Sequence, residues 1–516
     1  MVDSEPSVRQ PQHDMNWPSG FHARRTRIVD AVYRRFSIDT RSLAAFRISL
    51  GLLILADLAL RSRDLRAFYT DFGVFPRSAF ISRADPLHWS FHIIFGDVWG
   101  QALLFVIAGG FAVALTVGYR TTTATVGSWL FLVSLHNRIP DILNGGDVLL
   151  RLLLFWAMFL PLGTRWAVDS DHRTRQHTRT AVTSVATAAL LLQVVIVYTT
   201  NAALKLSGDA WLSGEGLEYV FSLGQFTVFV GDYLGAYPTL LHVLDFLWIG
   251  AIVCSVLLIV LPGRWRTGFA GLLMTMHFGM VVTMRIGLFP LISVAALVPF
   301  LPTTFWERLP SRLGRLQPIP AIRRWGAGLA DRLPVVTVAA VPPALDRWNA
   351  RFMTVVPLLF LVLIVLWNVQ FLGYSEVYRH DVVPEQTEPV IELTRTDQYW
   401  NMFAPDPLST DGWIVAPGRL ENGTRIDAVH GGPVQWERPD DISETYPTAR
   451  WRKYLVGLWR DDTADRRYFA DYLCRRWNEQ HETGLENVSV FFMEQPTRID
   501  TAQEPSNTVQ LERHYC

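Results

Sequence analysis

The sequence predicts an α-helical polytopic membrane bundle of about nine spans, followed by a C-terminal extracytoplasmic α+β domain. Three observations predict it. Half of the 516 residues are hydrophobic. The apolar residues gather into runs of about 17–25, the length that crosses a hydrocarbon core of about 30 Å. The arginines fall unevenly between those runs.

Residues 1–41 are polar and basic, and their length and charge do not fit a cleavable leader, so the first span is expected to act as the anchor. The spans are expected near 42–60, 99–117, 121–137, 147–162, 181–205, 237–261, 265–284, 287–302 and 352–373. Residues 42–302 would then form an eight-span bundle, 303–351 a loop, 352–373 the ninth span and 374–516 the exported domain.

Loop arginines mark the cytoplasmic side. Arg24, Arg25, Arg27, Arg34, Arg35 and Arg41 precede the first span; Arg165, Arg173, Arg175 and Arg179 lie in the 163–180 loop; Arg264 and Arg266 lie in a short turn. The 303–351 loop carries eight more. Nine spans with a cytoplasmic N-terminus place all four segments inside, in a multi-pass protein of the cell membrane. The 206–236 loop, with no lysine or arginine, falls outside. So does the C-terminal domain, with about ten more acidic than basic residues. Only the 61–98 loop, with Arg61, Arg63, Arg66, Arg77 and Arg83, runs against the trend.

The formal net charge of zero and the lack of a basic stripe beyond these loops exclude nucleic acid as a partner, leaving membrane lipids. The Leu/Arg/Pro mixture of 303–351 reads either as an amphipathic segment on anionic lipid or as a linker. No repeat of the kind found in secondary transporters is visible. In the C-terminal domain, "VIELTR" and "WIVAPGRLENGTRID" read as strands with an Asn-Gly turn; 445–480 reads as helix and "NVSVFFMEQPT" as a last strand. The aromatic and proline-rich "QYWNMFAPDP" either docks on the bundle or forms the small domain's core. Cys254 lies in a span; Cys474 and Cys516 either pair or stay free. No Cys/His metal spacing appears.

Ionisable groups inside spans are expensive and are functional candidates. Arg47 and Asp57 lie ten residues apart on the first span, too far to pair with each other. Asp147 opens the fourth span with Arg151 one turn on, a spacing that suits an ion pair; Asn144, Gly145 and Gly146 before it permit close approach of backbone or ligand. His277, Met280 and Met284 share a face of the seventh span. His242 and Asp245 are weaker candidates. The strongest is Lys205, one of two lysines in the chain with Lys453. Tyr198, Asn201 and Lys205 follow at i, i+3 and i+7 along one face. Arginine holds its proton at any working pH, whereas a desolvated lysine can release it and act as a base. The alternative is a lysine that snorkels to the interface.

These residues resemble a family. "VYTTNAALKLSGDAWLSGEGLEY" is similar to the helix and loop of vitamin K-dependent γ-glutamyl carboxylases and their prokaryotic relatives, the HTTM-domain proteins, through Tyr198, Lys205, Leu206, Asp209 and Trp211. "RIGLFPLISVAALVPFLP" resembles the family's G-x-F-P helix through Gly287, Phe289 and Pro290, near His277. The opening segment is similar through Arg47, Asp57, Arg61, Tyr69, Asp71, Gly73 and Pro76, and "NGGDVLLRLLLFWAMFLPLG" and "QYWNMFAPDP" resemble further segments. The resemblance implies that Lys205, neighboured by Tyr198 and Asn201 and with His277 in the bundle, is a neutral base that deprotonates a reduced naphthoquinol. In the carboxylases the quinol reacts with O₂, and the strong base so formed takes a γ-proton from glutamate, which adds CO₂. Asn144, Asp147, Arg151 and Arg47 are the residues expected to hold the quinone. The sequence departs from the animal family where a histidine precedes the fourth span; Gly145, Gly146 and Asp147 stand there. A quinol-dependent epoxidase or carboxylase is therefore the leading expectation, and a non-enzymatic scaffold or transporter with a partner-binding outer domain the alternative.

Overall fold

The computed structural model describes residues 31, 33–83, 87–168, 180–308, 343–373, 382–461, 465–497, 499 and 505–516. Residues 1–30, the arginine-rich part of the 163–180 loop and the amphipathic stretch of 309–342 lie outside them.

Each expected span is helical. α1 (Thr40–Ser62) starts at Asp39, whose carboxylate accepts from the Arg41 amide. α2 (Val98–Val117) is capped by Asp97 and stops at Gly118, left-handed at φ +77°. α3 (Thr121–Arg138) follows at once. α4 (Gly145–Ala157) opens with a reciprocal cap between Asn144 and Asp147. α5 (Val185–Lys205) opens likewise, between Ser184 and Thr187. α6 (Pro238–Val253) passes through a tight turn into Leu257–Val260; α7 (Gly263–Thr283), α8 (Phe289–Leu297) and α9 (Pro343–Gly373) complete the set.

Among the described residues five of these helices are long and apolar enough to cross a membrane: α1, α2, α5, α6 with its continuation, and α9. α8 is apolar but short even with its continuation to Phe300, and α4 is short and carries Asp147 and Arg151; α3 and α7 are less apolar, with His136 and Arg138 on one and Arg264 and Arg266 on the other. Burial separates the five. The apolar window of α5 is 72% buried and that of α9 only 17%, so α5 is a central helix and α9 a peripheral one packed along it.

The C-terminal region is built on an antiparallel sheet. β1 (Thr410–Val415) and β2 (Pro417–Leu420) pair with opposite halves of one long strand, β4 (Leu485–Pro496), with Val415 beside Phe491 and Gly418 beside Val488. β3 (Arg425–Asp427) pairs with β2 across the Asn-Gly turn, and β5 (Asn507–Tyr515) pairs with the other side of β4. Two helices, α10 (Ala449–Arg460) and α11 (Asp465–Gln480), account for the expected helical stretch. "VIELTR" is not a strand: it lies in the helix Glu388–Thr394, where Pro389 suits the first turn and only Ile391 is buried. β5 was not expected, because its charged residues mask the alternation.

Cys474 on α11 is joined by a disulfide to Cys516, just beyond β5, closing a separation of 42 residues. Cys254 is free. In denatured, unreduced protein a maleimide should therefore label one thiol, rising to three after reduction, counted by intact mass.

His430 lies 3.4 Å from the Asp427 carboxylate at the end of β3. That hydrogen bond raises the imidazole above its ordinary 6.5, against burial, which lowers it. A raised folded value means that this contact stabilises fully below 6.5 and is lost as pH rises through the folded value. Thermal melts from about pH 6 to about pH 8 should show this loss, and His430→Gln should flatten it.

Candidate functional site

Tyr198, Asn201 and Lys205 stand in line along the last two turns of α5, as their spacing requires. All three are buried. What covers them is the segment that links α9 to the sheet. Asn201 donates its side-chain amide to the carbonyls of Trp400 at 2.8 Å and Met402 at 3.2 Å. Lys205 Nζ donates to the Phe403 carbonyl at 3.0 Å. The indole N–H of Trp211 donates to the same oxygen at 2.8 Å, and its ring lies 3.1 Å from Nζ, a cation–π distance. "QYWNMFAPDP" thus docks on the bundle. Phe403 adopts φ +53°, which a bulky residue seldom does. Gly208 explains part of the fit: a Cβ there would fall 2.2 Å from the Pro405 carbonyl oxygen.

No ion pair to Lys205 occurs among the described residues. Asp406 accepts from the Ala210 amide and Asp245 from the Gly216 amide, so both acids reach the amine only at longer range. His242 sits near the surface, 3.8 Å from Glu218.

Beside this row lies a narrow, mostly apolar gap. Tyr198 and Asn201 line it from α5, Trp248 from α6, His277 from α7, Phe289 and Ser293 from α8, and Met402 from the docked segment. The His277 ring lies 5.6 Å from Trp248 and 6.0 Å from both Tyr198 and Phe289. Its Nδ1 faces the Leu273 carbonyl at 2.8 Å and must donate there, which leaves Nε2 as the acceptor of the neutral ring. Met280 packs against the core and Met284 is buried. The gap has room for only a water or two; a ring would need the side chains to part.

The charged candidates assemble elsewhere. Arg61 donates to Asp57 at 2.8 Å, to Asp147 at 2.7 Å and to the Tyr69 hydroxyl at 2.8 Å. Arg450, from α10, bonds Asp57 and reaches Asp147 at 3.4 Å. His136 on α3 completes the cluster, with Nε2 3.8 Å from Asp147. The expected Asp147–Arg151 pair does not form. The Asp147 carboxylate turns back to cap the Asn144 amide and meets the two arginines there, while Arg151 faces Asp397 at 3.7 Å. Asn144 is occupied as the cap of α4. Gly146 lets α4 and α8 touch, since a Cβ would lie 2.8 Å from the Phe289 Cα. Arg47 is remote from the gap and donates to the carbonyls of Leu115, Thr116 and Trp166, covering the exposed end of α2. Asp57, His136 and Asp147 are close enough to share a cation, but Arg61 and Arg450 already neutralise both carboxylates, so the cluster is an ion-pair network.

Sequence reasoning missed Arg450, His136 and Trp248. His136 had a signal: "HNR" closes an otherwise apolar helix. Arg450 had none, because its partners Asp57 and Asp147 lie 393 and 303 residues away.

An apolar helical bundle with a buried amine at one end, sealed by a segment of a sheet-containing domain, defines a membrane-associated helical protein with an internal site. Residues 34–306 match the HTTM domain, so the chain belongs to the HTTM family, a domain also found in the vitamin K-dependent carboxylases. No solved structure matches the chain.

Removing Arg450 would leave two buried carboxylates sharing one cation. Arg450→Ala should cost about 3–5 kcal/mol, read as a lower thermal midpoint and faster proteolytic release of the C-terminal domain. Adding Asp57→Asn should restore part of the loss.

Proposed function

We propose that this protein is a membrane-embedded enzyme of the quinol-dependent epoxidase or carboxylase type, with Lys205 as the base. The observation that carries the proposal is the setting of Nζ. It is buried, it bonds only a peptide carbonyl and it forms no carboxylate ion pair among the described residues. An amine held that way can exist without its proton, which arginine cannot do.

The cofactor would be a reduced quinone, with O₂ and, for carboxylation, CO₂ as co-substrates. Once the side chains part, its ring would lie between the aromatic and aliphatic walls of the gap, with Tyr198, Asn201 and His277 as polar contacts. When bound, the quinol supplies an acidic hydroxyl and reducing equivalents for O₂. Lys205 would take the hydroxyl proton; Asn201 would hold the covering segment and orient the amine's neighbours. Trp248, Phe289 and Met402 would exclude water, which quenches a strong base. Asp147 would act through the ion-pair network that fixes α4 rather than by contact, Arg151 through Asp397, and Asn144 and Arg47 through their helix ends.

The nine-span arrangement, with a cytoplasmic N-terminus and an extracytoplasmic C-terminal domain, belongs to this proposal. The disulfide supports that side for the domain, since such bonds persist in oxidising compartments. The scaffold or transporter reading is favoured by one fact: the Phe403 carbonyl already occupies the amine.

Lys205→Arg should lower quinol epoxidation in reconstituted membranes by at least about 100-fold, measured as quinone epoxide by chromatography. Turnover retained in that variant would reject the base. Ligand flux into liposomes that survives Lys205→Met would favour the transporter.

A further inference from the structure

The stretch 206–236 contains no lysine or arginine, yet one of its turns presents bare aromatic surface. Phe229 is 76% exposed and Tyr233 74%, with Val230 and Tyr237 exposed beside them. Phe229 is held at φ +50°, a backbone state that costs a bulky residue energy. The turn is nonetheless firmly tied down. The Val228 amide donates to the Thr283 carbonyl at 3.1 Å and the Arg285 amide to the Phe226 carbonyl at 2.7 Å. A Cβ on Gly231 would fall 2.0 Å from the Thr283 carbonyl oxygen. The end of α7 therefore holds the turn, and its aromatic side chains are displayed rather than loosely exposed.

The apolar surface does not stop at Tyr237. α6 begins at the next residue and exposes Val243 and Phe246 on a helix fit to cross a membrane. A second set of exposed aromatics marks the opposite end of the bundle: Trp265 at the start of α7 and Trp348 near the start of α9. That end is where Arg266 bonds the Arg35 carbonyl, just before α1. The turn lies at the other end, where Arg285 bonds the carbonyls of Ser443 and Pro447 in the C-terminal domain. Tryptophan and tyrosine at both ends of apolar helices are the arrangement that bilayer interfaces favour.

We propose that residues 229–237 are seated in the headgroup region of the bilayer, on the side of the C-terminal domain, with a lipid surface as their partner. The absence of basic residues and the presence of Asp232 make this contact independent of anionic lipid. The seat is mechanically joined to the lysine site. Phe226, at the base of the turn, packs edge-on against Phe403 with centroids 5.1 Å apart, and the Phe403 carbonyl holds Lys205. The proposal requires a membrane but not the lysine chemistry.

The test uses the full chain with Cys254→Ala and a single added cysteine, Tyr233→Cys, labelled with bimane and reconstituted in phosphatidylcholine vesicles. Nitroxide lipids probe at headgroup, shallow and deep positions, and iodide probes from water. Asn422→Cys, on an exposed turn of the sheet, is the reference. The expected result is several-fold stronger quenching at 233 than at 422 by the headgroup and shallow nitroxides, with protection from iodide. Equal lipid quenching at the two sites with free iodide access would overturn the proposal. Iodide protection without lipid quenching would also overturn it, because protein rather than lipid would then cover the turn. A retained Cys474–Cys516 disulfide and an unchanged thermal transition confirm that each variant is folded. Phosphatidylserine in place of part of the phosphatidylcholine should leave the quenching unchanged.

Discussion

Two carboxylates, Asp57 and Asp147, are buried among apolar helices and must be neutralised there. Each would cost several kcal/mol if left alone. Arg61 supplies one cation from within the bundle; Arg450 supplies the other from the C-terminal domain. The balance is complete only when the two parts are docked. That requirement sets how the sheet-containing domain sits on the helices, and the seating brings residues 400–403 over the end of α5. The lysine site thus depends on a charge problem solved some distance along the same interface. Among the described residues no other arginine or lysine than Arg61 and Arg450 bonds the two acids, so the second arginine acts as a key.

The helices were legible because apolar runs and caps are local properties. In α5 the run of apolar residues and the spacing of Tyr198, Asn201 and Lys205 define one face directly. What the spacing could not give was the identity of the cover. Carbonyl acceptors carry no side-chain signal, so the roles of Trp400, Met402 and Phe403 were visible only as an aromatic cluster with two possible places. The Asp147–Arg151 spacing was misleading for a related reason. A carboxylate at a helix start is drawn back to the free amides of its own cap, and from there it meets Arg61 and Arg450. "VIELTR" shows the same limit on a smaller scale, since six residues with a proline before them satisfy a helix turn as readily as a strand.

Membership of the HTTM family and the geometry around Lys205 bear on the same helix from independent directions. The family places the bundle; the geometry describes an amine with unusual company. The Trp211 ring and the Phe403 carbonyl meet it, while the acids of the neighbourhood are engaged by backbone amides. The chain's preference for arginine elsewhere is consistent with this division. Guanidiniums neutralise, cap and cross-link throughout the protein, and the one buried lysine of the bundle is kept apart from those tasks.

The Phe403 oxygen receives two donors, 3.0 Å from Lys205 and 2.8 Å from the Trp211 indole. Both belong to the bundle side of the contact, while the oxygen belongs to the segment laid over it. The point in space is therefore defined by the donors and not by their present guest. Losing either donor would loosen the covering segment at the same atom.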